Sequence, residues 1–429
     1  MDFKMSNYYN PYLPVMSRKV DAIISIEAKE KEEALGLSDK QQIKEAIIFI
    51  IDTSGSMAGG KIENAIKTLH TCIDLLDDSC HFCILTFSES TTTIFPMEKS
   101  SIEAKEKAHI LVADIKVYGG TKLSAPLNTA SLVFAGYDDY LKIAYFVTDG
   151  NNSQSDINNL NLALKRNKGK FHLSCWGLGT DWNPKELKRI ADNFAGTAEA
   201  ITAPDEMASK FQKSLSELFS KSILKATLKL QVPKTIRINN IKQMSPEILD
   251  ITEYLKTVDE KNYEISLGPW GQEIRDYHIS FEVEPQEEGE EMLVCRPKIS
   301  YITDNEEKTF DGQRVVITWT SRVDLSSKEN EEVEHFKGQE ELSITIRKGL
   351  DAKNMGDTEQ ATLLLGKAYK LANESGNDEA TMRLKKVIEV LDESEGTVRL
   401  RSSGKLENKA ADLELDLGGT RTVRRRIAE

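Results

Sequence analysis

The chain has 429 residues, 39% hydrophobic and 29% charged. That is ample apolar material, but too long a chain for one ordinary core, so the length predicts two or three domains. Lys plus Arg number 56 against 69 Asp plus Glu, a net charge of −13, opposite in sign to a protein whose surface binds nucleic acid or an anionic membrane.

No apolar run approaches the roughly 18 residues that a transmembrane helix needs. The opening MDFKMSNYYNPYLPVMSRK contains no apolar stretch of the secretory kind. The expectation is a cytoplasmic protein with no membrane insertion and no nucleic-acid partner. The five cysteines, an odd number, fit a reducing compartment better than a disulfide framework. Cys80 and Cys83 bracket a strand-like segment with only two ligands together, so they read as core thiols rather than a zinc site.

Residues 1–14, polar and aromatic with two prolines, read as irregular. Val20–Ile26 reads as a strand, and 27–42, rich in Lys and Glu, as a connector. Ala46–Ile51 is a short, wholly apolar run ending at Asp52, the pattern of a strand buried on both faces of a parallel sheet. Ile62, Ala65, Ile66, Leu69, Ile73 and Leu76 form one stripe of an amphipathic helix. Strands at 82–87, 143–147 and 171–176 then alternate with helical stretches up to about 220. That alternation predicts an α/β domain with helices on both faces of a doubly wound, mostly parallel sheet.

Beyond Ser222 the period changes to two, with no long helix up to about 325, which predicts an antiparallel β-sandwich. Three helical stretches follow and predict a small bundle, its core including Leu342, Ile346, Leu350, Leu363, Ala368, Leu384 and Leu391. The boundaries expected are 1–42, 43–221, 222–325, 326–393 and a flexible, basic-ended tail at 394–429. Because strand 20–26 is set off from the α/β segment by a polar connector, we expect it to pair with the sandwich. The α/β domain is then an insertion; the plainer alternative is an edge strand of the α/β sheet.

Three loops carry oxygen ligands where strands end or helices begin. The first is Asp52-Thr53-Ser54-Gly55-Ser56-Met57, the second Gly119-Gly120-Thr121, the third Thr148-Asp149-Gly150. In open α/β sheets ligands bind beyond the carboxyl ends of strands. Carboxylates and hydroxyls are hard donors suited to Mg²⁺. An enzymatic reading competes, because phosphotransferases of the haloacid dehalogenase type also place an Asp at a strand end. Those want a second Asp two residues on, where this chain has Ser54, and neither a phosphate loop nor a G-x-S-x-G elbow is present.

In this order and on these elements, the three motifs resemble the von Willebrand factor A-type domain with its metal-ion-dependent adhesion site, over about residues 43–221. The resemblance implies that Asp52, Ser54, Ser56 and Thr121 hold a metal directly or through water, with Asp149 completing the site. It implies Mg²⁺, with Mn²⁺ or Ca²⁺ as alternatives, and a coordination position open to an Asp or Glu of a protein partner. The function implied is recognition without catalysis.

The order of parts, with Asn10-Pro11-Tyr12-Leu13-Pro14 at the front and Thr420-Arg421-Thr422-Val423-Arg424-Arg425 at the back, resembles bacterial A-domain proteins found with serine/threonine kinases, metal-dependent phosphatases and forkhead-associated domains. This implies a scaffold in phospho-signalling or stress response, with Thr420 or Thr422 as a phosphate acceptor read by a forkhead-associated domain. The plainer reading of that tail is a solvated basic end. The rival functions are a metal-dependent hydrolase or phosphotransferase, and a substrate adaptor of a MoxR-like AAA+ ATPase.

Overall fold

The computed structural model describes residues 1–29, 43–201, 204–303, 306–393, 395–402 and 404–425. In chain order, strands β1 (Asp2–Tyr9), β2 (Tyr12–Pro14) and β3 (Lys19–Lys29) come first. An α/β segment follows: β4 (Glu45–Asp52), α1 (Gly60–Asp74), β5 (His81–Phe87), β6 (Thr91–Lys99), α2 (Ile102–Ala113), α3 (Ser124–Val133), β7 (Leu141–Thr148), α4 (Ile157–Asn167), β8 (His172–Leu178), α5 (Pro184–Asn193), β9 (Ala198–Ile201) and α6 (Pro204–Phe219). Then come β10 (Lys221–Gln231), β11 (Arg237–Ser245), β12 (Leu249–Asp250), β13 (Lys256–Thr257), β14 (Asn262–Gly271), β15 (Glu273–Glu282), β16 (Glu291–Thr303), β17 (Glu306–Asp311) and β18 (Val315–Thr320). The chain closes with α7 (Val323–Ser326), α8 (Glu331–Asn354), α9 (Thr358–Glu374), α10 (Asp378–Val387), β19 (Ile388–Asp392), β20 (Thr397–Leu400) and α11 (Lys405–Gly418).

The described residues divide into two compact units. One draws on Met1–Lys40, Lys221–Ser402 and Gly418–Glu429, the other on Gln41–Ser220 and Ser403–Leu417.

The α/β unit is built on a six-stranded sheet of order β6-β5-β4-β7-β8-β9. All its neighbours are parallel except the edge strand β6, which is antiparallel to β5. Every residue of β4 is buried, as a central strand covered on both faces must be. On one face Ile48 and Ile50 pack with Leu127 of α3, Leu160 of α4 and Ile190 of α5. On the other, Phe49 stacks on Tyr145 and meets Phe211 of α6. Cys72, Cys80, Cys83, Cys175 and Cys295 are all buried free thiols, and burial holds Cys80 and Cys83 up at about 12. Among the described residues no helix is long and apolar enough to cross a membrane.

The other unit contains two sheets, of order β1-β3-β15-β11-β12 and β13-β14-β10-β16-β18-β2, with β17 added on β16. One apolar core draws on both, including Ile24, Leu228, Trp270, Phe281, Ile299 and Trp319. β3 runs antiparallel to β15 from Lys19 opposite Glu282 to Ala28 opposite Glu273. The α/β segment is therefore an insertion between β3 and β10 of a sandwich. The expected connector 27–42 gives up its first residues to β3; residues 30–42 lie outside the described residues.

The first nine residues are not irregular. Asp2–Tyr9 alternates, with Phe3 and Met5 buried, and the Phe3 ring lies 5.6 Å from that of Trp270. Pro11 and Pro14 conceal this period-two signal in the sequence, although Pro14 itself ends β2, which pairs in parallel with β18.

The bundle is capped as its polar breaks suggest: the side chains of Asn330, Asp357 and Asn377 accept backbone N–H bonds at the starts of α8, α9 and α10. Val333 and Phe336 of α8 pack with Ile23 and Met244 of the sandwich. Two expected core leucines point outward, Leu363 at 67% and Leu391 at 58% exposure. The inward stripe of α9 is Ala361, Leu365, Ala368, Tyr369 and Ala372, which leaves Leu363 on the opposite side. Leu391 lies on the hairpin β19–β20 rather than on a third helix extended to 392.

Residues 394–429 are not a flexible tail where the structure describes them. They contain β20 and α11, whose Leu413 and Leu417 join the α/β core. The residues after α11 lie along the sandwich and bundle. Thr420 is 5% exposed, and its carbonyl accepts from Ile248 N at 2.8 Å. Its hydroxyl donates to Glu247 Oε1 at 2.5 Å. The Thr422 hydroxyl donates to the Met244 carbonyl, also at 2.5 Å. Arg424 Nε lies 2.9 Å from Oδ2 of the buried Asp276, and Arg425 pairs with Glu331. The basic end is docked because carboxylates in the fold meet its arginines; Arg426 lies outside the described residues.

Two predictions follow from these contacts. A 221–325 fragment, lacking β1 and β3, exposes the edge of β15 and should show no cooperative thermal unfolding, whereas the same fragment preceded by residues 1–29 through a Gly/Ser linker should regain it. Arg424→Ala strands the buried Asp276 carboxylate and should cost about 1–3 kcal/mol in denaturant melts, since the arginine is partly exposed. Adding Asp276→Asn should recover part of that loss.

Candidate metal centre

β4 delivers Asp52 to the carboxyl edge of the sheet with no exposed surface. Its Oδ1 accepts the Ser54 N–H at 2.7 Å, and its Oδ2 accepts the Thr148 hydroxyl at 2.5 Å. Burial pushes the Asp52 carboxyl up from its ordinary range, against these hydrogen bonds, and the neighbouring Asp149 pushes the same way. The chain then turns through the short 3₁₀ segment Gly55–Met57. Ser54 Oγ and Ser56 Oγ are 3.0 Å apart, and Ser56 Oγ donates to Asp149 Oδ1 at 2.8 Å.

Backbone bonds fix the three loops to one another. Thr53 N and Oγ1 both donate to the Phe87 carbonyl, at 2.7 and 2.9 Å. Tyr118 N donates to Thr53 O at 2.7 Å, Gly55 N to Gly119 O at 3.0 Å, and Ser153 N to Thr121 O at 2.8 Å. Gly119 takes a φ of +74° at this crossing, a conformation that glycine adopts without strain. Asp156, 1% exposed, accepts from both the backbone N–H (2.9 Å) and the hydroxyl (2.5 Å) of Ser124 at the start of α3. Asn152 Oδ1 accepts from Leu123 N at 3.1 Å.

The structure thus brings Asp52, Ser54, Ser56, Thr121 and Asp149 into one cluster. Three of its oxygens converge beside Gly150. A Cβ placed there would lie 3.1 Å from Thr121 Oγ1, 3.4 Å from Ser56 Oγ and 3.7 Å from Asp52 Oδ2. The donors are two carboxylates and three hydroxyls, a hard-oxygen set that fits Mg²⁺. Among the described residues no group of three His, Cys, Asp or Glu could hold a metal, so this set does not resemble a zinc or iron centre. Thr420 and Thr422 belong to the sandwich unit, with both hydroxyls engaged as described above.

Sequence reasoning missed the groups that organise this cluster. Thr148 is visible in its motif but holds Asp52 rather than serving as a further donor, and Asp156 is hidden in a polar stretch. The most consequential omission is Lys61, in the first turn of α1, whose ammonium pairs with Asp149 Oδ2. Its nine-residue distance from Asp52, directly after the Gly59-Gly60 pair, is the signal that could have found it.

An open α/β sheet with converging oxygen donors beyond its carboxyl edge defines a ligand-binding domain of the doubly wound class. The comparisons narrow this. Residues 46–216 match the von Willebrand factor type A domain model, and residues 370–418 the model of a von Willebrand factor type A C-terminal domain. A solved von Willebrand factor type A protein from Catenulispora acidiphila is 30% identical, with a TM-score of 0.88, over 99% of this chain and 97% of its own. The chain belongs to the von Willebrand factor type A family. The ArnB paralog VWA2 from Sulfolobus acidocaldarius shares the fold over 98% of both chains at 14% identity and a TM-score of 0.63.

Among curated relatives, von Willebrand factor A domain-containing protein 5A of Rattus norvegicus is 28% identical over 47% of this chain. Inter-alpha-trypsin inhibitor heavy chain H4 of Bos taurus is 28% identical over 41%. The matches span only 25% and 20% of those relatives' own lengths. Proteins with this domain are generally interaction scaffolds, and such domains commonly bind a divalent metal.

Asp156→Ala leaves two buried donors of Ser124 unpaired. It should lower stability by about 2–4 kcal/mol, read as a shift of the thermal midpoint.

Proposed function

We propose that this chain is a non-enzymatic scaffold that captures a protein partner through a divalent metal, Mg²⁺ before Mn²⁺ or Ca²⁺. Asp52, Ser54, Ser56 and Thr121 hold the ion, directly or through water, and Asp149 completes the set. The metal supplies a Lewis-acidic position for a carboxylate of the partner, while the chain's own residues fix the oxygens and keep them close. The observation that carries this reading is the convergence of Thr121 Oγ1, Ser56 Oγ and Asp52 Oδ2 on the space beside Gly150. The similarity to von Willebrand factor type A proteins, which are generally interaction scaffolds, favours recognition over hydrolysis or phosphoryl transfer.

The cytoplasmic, phospho-signalling setting is the finer part of the proposal. Presentation of Thr420 or Thr422 to a forkhead-associated domain requires the docked segment to come away first, because both hydroxyls are hydrogen-bonded within the fold.

Asp52→Ala and Thr121→Ala should abolish Mg²⁺-dependent partner capture with the fold intact by circular dichroism. Gly150→Ala, whose methyl would fill the central space, should do the same. Capture that persists unchanged in EDTA sinks the metal reading, and phosphoester turnover lost in Asp52→Asn would support the enzymatic rival instead.

A further inference from the structure

We infer that Lys61 sets the balance of the metal centre, weakening its hold on the cation and strengthening its hold on the partner's carboxylate. The inference rests on the reading of the cluster as a metal site and goes beyond it by assigning a residue outside the donor set.

The geometry is specific. Asp149 is 1% exposed, and its two oxygens face different partners: Oδ1 accepts from Ser56 within the donor cluster, and Oδ2 takes the Lys61 ammonium. The lysine is not a loose surface charge. Its Cε lies 3.7 Å from the position a Cβ would take on Gly179, just past the end of β8, so the stem runs against that loop. A second carboxylate, Asp181, also feels the Lys61 charge, although its main partner is Lys409 of α11 at 3.0 Å. The ammonium therefore has an anionic neighbour besides Asp149.

Charge counting gives the consequence. Asp52, Asp149 and Lys61 together carry one net negative charge. A divalent cation turns this into one net positive charge, and a single incoming carboxylate brings the site to neutrality. Without Lys61, the same steps run from two negative charges to zero and then to one negative. In a nearly buried cluster such differences are weakly screened. Lys61 thus opposes the metal by repulsion and by occupying an oxygen of Asp149, and it makes the loaded site attractive to an anion. A residue that merely supported the fold would move both affinities in the same direction or neither.

The test uses the full chain with Mn²⁺ alone as the metal probe and acetate as the carboxylate probe. Free Mn²⁺ is read by electron paramagnetic resonance, and acetate binding to the Mn²⁺-loaded protein by water-proton relaxation. Lys61→Met should bind Mn²⁺ about tenfold tighter and acetate about fivefold weaker than the parent chain, with Lys61→Arg staying close to it. Lys61→Gln should repeat the signs if the methionine variant folds poorly. Equal Mn²⁺ affinity in parent and variants, or weaker Mn²⁺ binding in Lys61→Met, overturns the inference while leaving the metal reading in place. Failure of parent and variants alike to bind Mn²⁺ removes the metal reading and this inference with it.

Discussion

A carboxylate without exposed surface is costly to keep, and Asp52 is kept by neighbours that each belong to a different part of the sheet's carboxyl edge. Ser54 N–H comes from its own turn and the Thr148 hydroxyl from the next parallel strand. The first turn is in turn pinned to β5 through Thr53 and Phe87. These bonds can form only if β5, β4 and β7 are in register, as they are from Ala46 opposite His81 and Lys142 onward. Sheet register and site geometry are therefore one constraint. A slip in the ladder would separate the donors and leave the carboxylate unsatisfied.

The parts legible in the sequence were those governed by short-range pattern. The apolar run 46–51 could hardly be anything but a central strand, and the three oxygen-bearing motifs stood at predictable ends of predicted elements. The change of period at 222 announced the sandwich. What stayed hidden was governed by distant partners. Asp2–Tyr9 alternates only weakly, and its strand character depends on Trp270 and β3. α11 is acidic and reads as solvated until Leu413 and Leu417 find the α/β core. The arginines after Gly419 look like a free basic end until Asp276 and Glu331, far off in sequence, meet them. Lys61 belongs to the same class: an ordinary helical lysine until Asp149, 88 residues away, supplies its counter-charge.

Net charge illustrates the same limit. A value of −13 argued against polyanion binding for the chain as a whole, yet it says nothing of a site where two carboxylates are met by an internal ammonium. Local charge at a buried cluster is set by a handful of side chains and is largely independent of the surface total.

The interleaving of the two units has a consequence for biogenesis. A nascent chain emerging from the ribosome exposes β1 and β3 long before β15, the strand that flanks β3 on its other side, has been translated. The inserted α/β segment is made in between and has its whole sheet in hand by residue 201, but it gains Leu413 and Leu417 only once α11 has been made. During elongation the paired strands β1 and β3 are the element most exposed to chaperones and to strand exchange with a neighbouring nascent chain.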